Sequence, residues 1–246
     1  SDPQYDYRQV TQIFVKTITQ DSIGALLKTQ WHQDYPFNVG TSNGHAGCVP
    51  IAIAQIAYYH KYPSKYDWDN IAVDPVYNTA LSNLMNDIWE SCVTKYDSEG
   101  THSNIDKAKK TFEKFGYKVT LKDKNITNDD LSSQIKASNP VYIRGINSEG
   151  KGHAWVCDGY KWIRDIVIAT LIKNPNDPRF KIVPRSPNGF MIYDATGLKK
   201  KESEDGEYFH MNFGLRDGTD GWYYGFKHNI SDSYINGQKI LTIKKK

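Results

Sequence analysis

Cysteine is scarce in this chain: only Cys48, Cys92 and Cys157 occur among the 246 residues. The count is odd and no C-x-x-C is present, which argues against a disulfide framework and against a zinc knuckle. Seven histidines are spread along the sequence without an H-E-x-x-H or comparable ligand spacing. No glycine-rich loop of the phosphate-cradling kind occurs, so neither a metal nor an organic cofactor is implied. No apolar run reaches the roughly 18 residues of a membrane span. An excess of one charge is lacking too. Lys and Arg total 31 against 28 for Asp and Glu, net +3, and the short basic runs Lys199–Lys201 and Lys244–Lys246 read as solvated surface. Nucleic acid is therefore not an expected partner. What remains is an ordinary globular composition, long enough to bury a core without covalent staples, with a surplus of 17 tyrosines and six tryptophans.

The apolar pattern changes along the chain. Ile13, Val15 and Ile18 followed by Leu26 and Leu27 read as a short strand or turn and then a helix ending near Thr29. "TQWHQDYPFN" (29–38) and "TSNG" (41–44) are loops. From Cys48 to His60, Val49, Ile53, Ile56 and His60 keep helical spacing with alanines between them, so a central helix is expected. Pro50 fits its first turn, where a missing N–H is not missed, and "KYP" stops it. Further helices are expected over 80–96, 105–115 and 129–137. After that the sequence turns to strand: "PVYIRGI", "GHAWVCDGY", "GFMIYD", "EYFHMNFG", "GWYYGF" and "KILTI". Helices first and strands afterwards predict an α+β fold with a mostly antiparallel sheet. The helical part spans about 20–138 and the β-rich part about 139–246.

Three segments carry chemistry. Cys48 opens a helix, where the dipole and free N–H groups favour thiolate, the nucleophilic form, and Gly47 lets a ligand's backbone come close. His153 heads an alternating run that puts it with Trp155 and Cys157 on one strand face and Ala154, Val156 and Asp158 on the other. A near-neutral imidazole there can take a thiol proton and later return one to a leaving group. In "EYFHMNFG", Tyr208, His210 and Asn212 share a face opposite Phe209, Met211 and Phe213. Asn212 is placed to orient an imidazole as third member of a Cys-His-Asn set. Each feature alone also has a structural explanation: a core thiol, a strand-end histidine, a strand asparagine.

Together, "GHAGCVPIAIAQIAYYHKYP", "GHAWVCDGY" and "FHMNFG" followed by "DGWYYGF" resemble the streptopain family of papain-like bacterial cysteine peptidases. Gly47-Cys48-Val49, Ala54-Gln55-Ile56 and Tyr59-His60-Lys61-Tyr62-Pro63 match the nucleophile segment. Gly152-His153-Ala154 matches the G-H-A segment, and Asn212 and Gly214 match N-W-G with Phe213 in place of its tryptophan. The resemblance runs from about Thr29 to the C-terminus. It implies a papain-like fold of two subdomains and an endopeptidase with Cys48 as nucleophile, His153 as base and then acid, and Asn212 as orienting group. It also implies Gln33, 15 positions upstream of Cys48, as an oxyanion donor. Gly47, Gly152, Phe213 and Ser98 are the substrate-contacting positions it suggests. The implied partners are a protein or peptide substrate and, in the precursor, an inhibitory propeptide. The implied location is secreted, periplasmic or cell-surface.

Two departures stand out. Phe213 replaces a tryptophan that shields a His–Asn hydrogen bond in the family. His153 and Asn212 lie 59 positions apart, where the family has a short hairpin, so residues of about 161–207 read as an insert, expected to be an added hairpin. Other functions on the same fold are an acyl-transferase, a cell-wall peptide hydrolase, or a peptide-binding homologue without turnover.

Overall fold

In a computed structural model of the chain, the described residues are 8–97, 100–173, 180–182, 193–195, 206–216, 218–226 and 234–246. They divide into two compact units. The larger comprises Asp21–Trp162 and Gly206–Lys246, the smaller Ser1–Gln20 and Ile163–Asp205. The smaller unit contains most of β1 (Arg8–Ile23), the far part of β6 (Gly152–Lys173), and a hairpin in which β7 (Phe180–Ile182) pairs antiparallel with β8 (Tyr193–Ala195).

The larger unit opens with α1 (Cys48–His60) and α2 (Thr79–Cys92), then the small hairpin β2 (Lys95–Asp97) and β3 (Gly100–His102). After these come α3 (Ile105–Lys114), β4 (Tyr117–Lys122), α4 (Asn128–Lys136) and β5 (Val141–Ile146). Beyond the first part of β6 it closes with β9 (Gly206–Asn212), β10 (Gly221–Tyr224) and β11 (Asn236–Lys245). The sheet order is β10-β9-β6-β5-β11-β4, with β1 pairing β6 off this path. The pairs β9–β10, β5–β6, β5–β11 and β4–β11 are antiparallel. The α+β class and antiparallel character expected from the sequence are thus present.

Local chemistry explains the helix bounds. Asn78 and Asn104 cap α2 and α3 by accepting from the N–H groups of Leu81 and Lys107, both at 2.9 Å. Thr127 and Asp130 form a capping box on α4. α1 is flanked by Gly47 at its start and by Lys61, in left-handed geometry with φ 48°, at its end. The region before α1 departs from expectation. No helix forms between Ile23 and Thr29, although the apolar spacing suggested one. The reason lies far along the chain: the N–H groups of Leu26 and Leu27 donate to the carbonyl and to the side-chain Oδ2 of buried Asp158, at 2.8 and 2.9 Å. Amides committed to a distant strand are not free for an i→i−4 ladder.

The sheet of the larger unit separates two cores. α1, α2 and α3 pack over Tyr142, Ala154, Val156, Leu241 and Ile243 on one face. On the other, Leu131 and Ile135 of α4 pack with Val141, Ile143, Trp155, Cys157, Phe209, Met211, Phe213 and Ile240. The alternation read in "HAWVCD" therefore separates two real faces, both buried. α1 lies inside the first core, with every residue from Val49 to Ala57 buried. Each valine or isoleucine so placed contributes roughly 1.5–3 kcal/mol. Gln55, in the middle of that stretch, forgoes this gain and is tolerated only because its polar atoms are partnered.

Candidate active site

Cys48 is the first residue of α1, and its approach is fixed by Gly47. Gly47 has φ 90° and ψ 144°, a conformation essentially reserved for glycine. A Cβ there would also lie 2.9 Å from Cβ and Cγ2 of Thr101. Thr101 in turn donates to the carbonyl of His45 at 2.7 Å, so the β3 strand grips the loop leading to α1. The second lever is Gln33, whose carbonyl accepts the Ala46 N–H at 2.9 Å. Sequence-distant Gln33 is thereby tied to a point two residues before Cys48. Among the described residues, the Gln33 carboxamide and the Cys48 N–H have no hydrogen-bond partner.

The Cys48 thiol is partly exposed and free. Burial of its surroundings pushes its pKa up. A hydrogen bond with His153, the charge of His153 and the N–H groups of Ala154 and Val49 act the other way and prevail, leaving the thiol below its ordinary 9.0. His153 is buried, 7% exposed, at the start of β6. Its Nε2 lies 3.0 Å from the carbonyl oxygen of Phe213. A carbonyl only accepts, so Nε2 carries a proton, and Nδ1 is the nitrogen left to exchange one with the thiol. The ring is boxed by aromatics: Trp155 stacks at 6.1 Å, Phe213 at 6.3 Å, and Tyr234 lies at 5.2 Å, centroid to centroid.

The expected role of Asn212 needs correction. Its carboxamide does not hold the imidazole. Oδ1 accepts from Nε2 of Gln55 at 2.9 Å and from the Gly214 N–H at 3.2 Å, and Nδ2 donates to the Thr29 carbonyl at 2.8 Å. Strand alternation is the physical reason. Asn212 points into the core beneath α1, whereas His153 shares its face with Trp155 and Phe213. The group that orients His153 is the backbone of the next residue. Phe213 is fully buried, and its own N–H donates to Oδ1 of Asp220 at 2.7 Å. Its ring therefore flanks the imidazole rather than shielding a His–Asn bond. Gly214 follows with φ 65°, and a Cβ there would meet Cγ2 of Ile51 at 2.9 Å, so β9 closes tightly on α1.

Cys48, His153 and Phe213 are thus brought together, with Gln33 and Gly47 tied to the same turn. Gly152 stands beside His153 at the head of β6, opposite Ile146. Ser98 lies outside the described residues, as does much of 161–207. Cys92 and Cys157 are fully buried core residues. Sequence reasoning missed the Phe213 carbonyl, which has no sequence signal, and Gln55, whose signal was a lone polar residue in an otherwise apolar helix. Among the described residues no group of His, Cys, Asp or Glu could hold a metal, and no helix is long and apolar enough to cross a membrane.

Comparison with known proteins bears on the family and on the fold. Streptopain from Streptococcus pyogenes serotype M28 is 31% identical over 161 residues, which is 46% of this chain and 39% of that protein. The thiol protease/hemagglutinin PrtT of Porphyromonas gingivalis is 25% identical over 176 residues, 53% of this chain and 20% of that protein. The chain therefore spans well under half the length of these curated relatives. Active wild-type interpain A, a cysteine protease of Prevotella intermedia, has a solved structure that matches with a TM-score of 0.59 at 20% identity. The match covers 91% of this chain and 98% of that one, and at this identity it speaks to the fold. The family model described as "Peptidase C10 family" matches residues 31–72 and 64–223. Those spans include Cys48, His153, Asn212 and Phe213, and the chain belongs to the peptidase C10 family.

Proposed function

We propose that the chain is a cysteine endopeptidase acting through an acyl-enzyme. The observation that supports this best is the Cys48 thiol at a helix start, hydrogen-bonded to a histidine whose far nitrogen is fixed by the Phe213 carbonyl. The thiolate attacks the scissile carbonyl carbon, a C–S bond forms, and the oxygen becomes an oxyanion. The Cys48 N–H and the Gln33 carboxamide are the donors offered to it. His153, now imidazolium, gives its Nδ1 proton to the amine nitrogen as the C–N bond breaks. Water then enters, His153 takes its proton, and the resulting tetrahedral adduct expels the Cys48 thiolate. Gly47 and Gly152 are the positions offered to an extended peptide beside the reacting atoms, whereas Phe213, fully buried, serves through its carbonyl on His153 rather than by touching substrate. The region 161–207 is proposed as an insert within one catalytic domain. By family resemblance, the mature enzyme is secreted, periplasmic or cell-surface and is released from an inhibitory propeptide.

The test is alkylation by an epoxide that reacts with activated thiols, with the adduct located by peptide mass spectrometry and cleavage of an unfolded protein followed in parallel. One adduct, on Cys48, with cleavage lost, is the expected result. New isopeptide bonds in place of new N-termini would replace hydrolysis with acyl transfer. An unmodified Cys48 without cleavage would overturn the reading.

A further inference from the structure

One buried side chain links three of the segments that carry the proposed chemistry without touching the reacting atoms. Gln55 is fully buried on α1, seven positions after Cys48 and so two turns along the helix. Its Oε1 accepts from Oγ1 of Thr29 at 2.7 Å and from the Trp31 N–H at 3.3 Å. Its Nε2 donates to Oδ1 of Asn212 at 2.9 Å. Asn212 completes the knot by donating to the Thr29 carbonyl at 2.8 Å. Three chain segments meet there. The first runs 29–33 and delivers Gln33, the second is the helix headed by Cys48, and the third is the end of β9, which delivers the Phe213 carbonyl to His153.

We infer that Gln55 is a positioning residue of this site, acting through Asn212. The inference rests on the cysteine-peptidase reading above. Its logic is that of a donor with a single correct orientation. Oε1 is committed to two donors, which leaves Nε2 facing Asn212. Asn212 Oδ1 must then accept, and its Nδ2 must face the Thr29 carbonyl. Neither amide can flip without opposing like groups in a dry core. The backbone following Asn212 is thereby held, and with it the carbonyl that fixes the proton on Nε2 of His153. The Asn212 carboxamide thus works at one remove: it places a backbone acceptor, not the imidazole.

The experiment compares Gln55→Met, Gln55→Glu and Thr29→Val with the parent chain. Folding is checked by circular dichroism and thermal melting. The readouts are the pH dependence of the alkylation rate at Cys48, and kcat and KM on one peptide substrate. Gln55→Met fills the space but removes both arms. The expected result is a fall of about 10- to 100-fold in kcat, the scale of a small misplacement of reacting groups, with KM within about twofold of the parent and a displaced acid limb of alkylation. Gln55→Glu keeps the acceptor but can donate to Asn212 only when protonated. Its alkylation rate relative to Gln55→Met should rise as pH falls, a signature that lost packing alone does not produce. Thr29→Val leaves the Gln55–Asn212 link intact and should cost less than either. If folded Gln55→Met keeps the parent's kcat and alkylation profile, the inference is overturned while the cysteine-peptidase reading stands. If Gln55→Met does not fold, a pH-independent deficit in Gln55→Glu overturns it. If the parent takes no adduct on Cys48, the peptidase reading falls and this inference with it.

Discussion

Two thiols sit at opposite ends of two helices in one core. Cys48 is the first residue of α1 and Cys92 the last residue of α2. Burial acts on both in the same direction, disfavouring thiolate. At Cys92 nothing outweighs it: the charge of Cys48 adds to burial, the opposing hydrogen bonds and the Lys107 charge are too weak, and its pKa is pushed up to about 12. At Cys48 the hydrogen bond and charge of His153, with the N–H groups of Ala154 and Val49, reverse the balance. Cys157, inside β6, is likewise raised by burial and by the neighbouring charge of Asp158. The difference teaches that desolvation is common to all three thiols, and that a lowered pKa belongs to the one that an imidazole reaches as well as N–H groups.

The largest expected effect is the reactivity gap itself. At pH 7 a thiol of pKa about 12 is ionised to only about one part in 10⁵, and the thiolate is the species that reacts. In the folded chain a soluble alkylating reagent should therefore label Cys48 alone, and all three cysteines should label after denaturation. Counting adducts by intact mass before and after unfolding checks this, and rapid labelling of Cys92 in the native chain would break the comparison. Next comes His153→Ala, which removes the group that separates the two environments. Cys48 then keeps burial without its main counterweight. Peptide cleavage should fall on the order of 10⁴-fold, the upper range for loss of a general acid–base, and the pH profile of Cys48 alkylation should move to higher pH, towards that of a buried thiol. An unchanged profile would show that the N–H groups suffice without the imidazole.

The pattern of the sequence made much of this accessible. α1 was legible to within a residue or two because an all-round apolar run is bounded by a glycine and by Lys-Tyr-Pro, both local signals. The placement of Cys48 at a helix start and of His153 at a strand start was legible because those signals are local too. The stretch before α1 was misread as helix because Leu26 and Leu27 have helical spacing, while the acceptors of their amides belong to Asp158, over a hundred positions away. Asn212 was correctly assigned to the face opposite Phe213. That same alternation, followed one step further, excludes it from His153. What alternation cannot supply is a backbone oxygen as partner, since every residue carries one.

Two smaller effects test the approach to Cys48 while leaving Cys92 alone. Gln33→Ala should lower kcat by about 100- to 1000-fold, the usual loss for one oxyanion donor. The alkylation rate of Cys48 should stay near the parent's, because no carbonyl oxygen is being stabilised in that reaction. A parallel loss of alkylation would mean that Gln33 acts by placing the loop rather than by donating to the substrate. Gly47→Ala meets both a forbidden backbone conformation and Thr101 at 2.9 Å. The strain is about 1–3 kcal/mol, readable as a lower melting temperature and slower Cys48 alkylation, with Cys92 as unresponsive as before.

The smallest effect concerns the inert thiol. Cys92→Ala should leave Cys48 alkylation and peptide cleavage close to the parent's and cost about 1 kcal/mol at neutral pH through lost packing. Its signature lies at alkaline pH. The folded-state pKa of Cys92 is raised from 9.0 to about 12. Below the unfolded value both states hold the proton and the stabilisation is fully present. As pH rises from 9 towards 12 the unfolded chain releases its proton while the folded chain retains it, so stability is lost across that window. Removing the thiol removes one proton from this linkage. Buried Tyr142 and Tyr117 are raised by burial as well, so the variant should still weaken in alkali, but with a shallower slope in urea midpoints measured from pH 8 to 11. An unchanged slope would place the Cys92 thiol in an environment no drier than that of Cys48, and the contrast between the two helix ends would then rest on His153 alone.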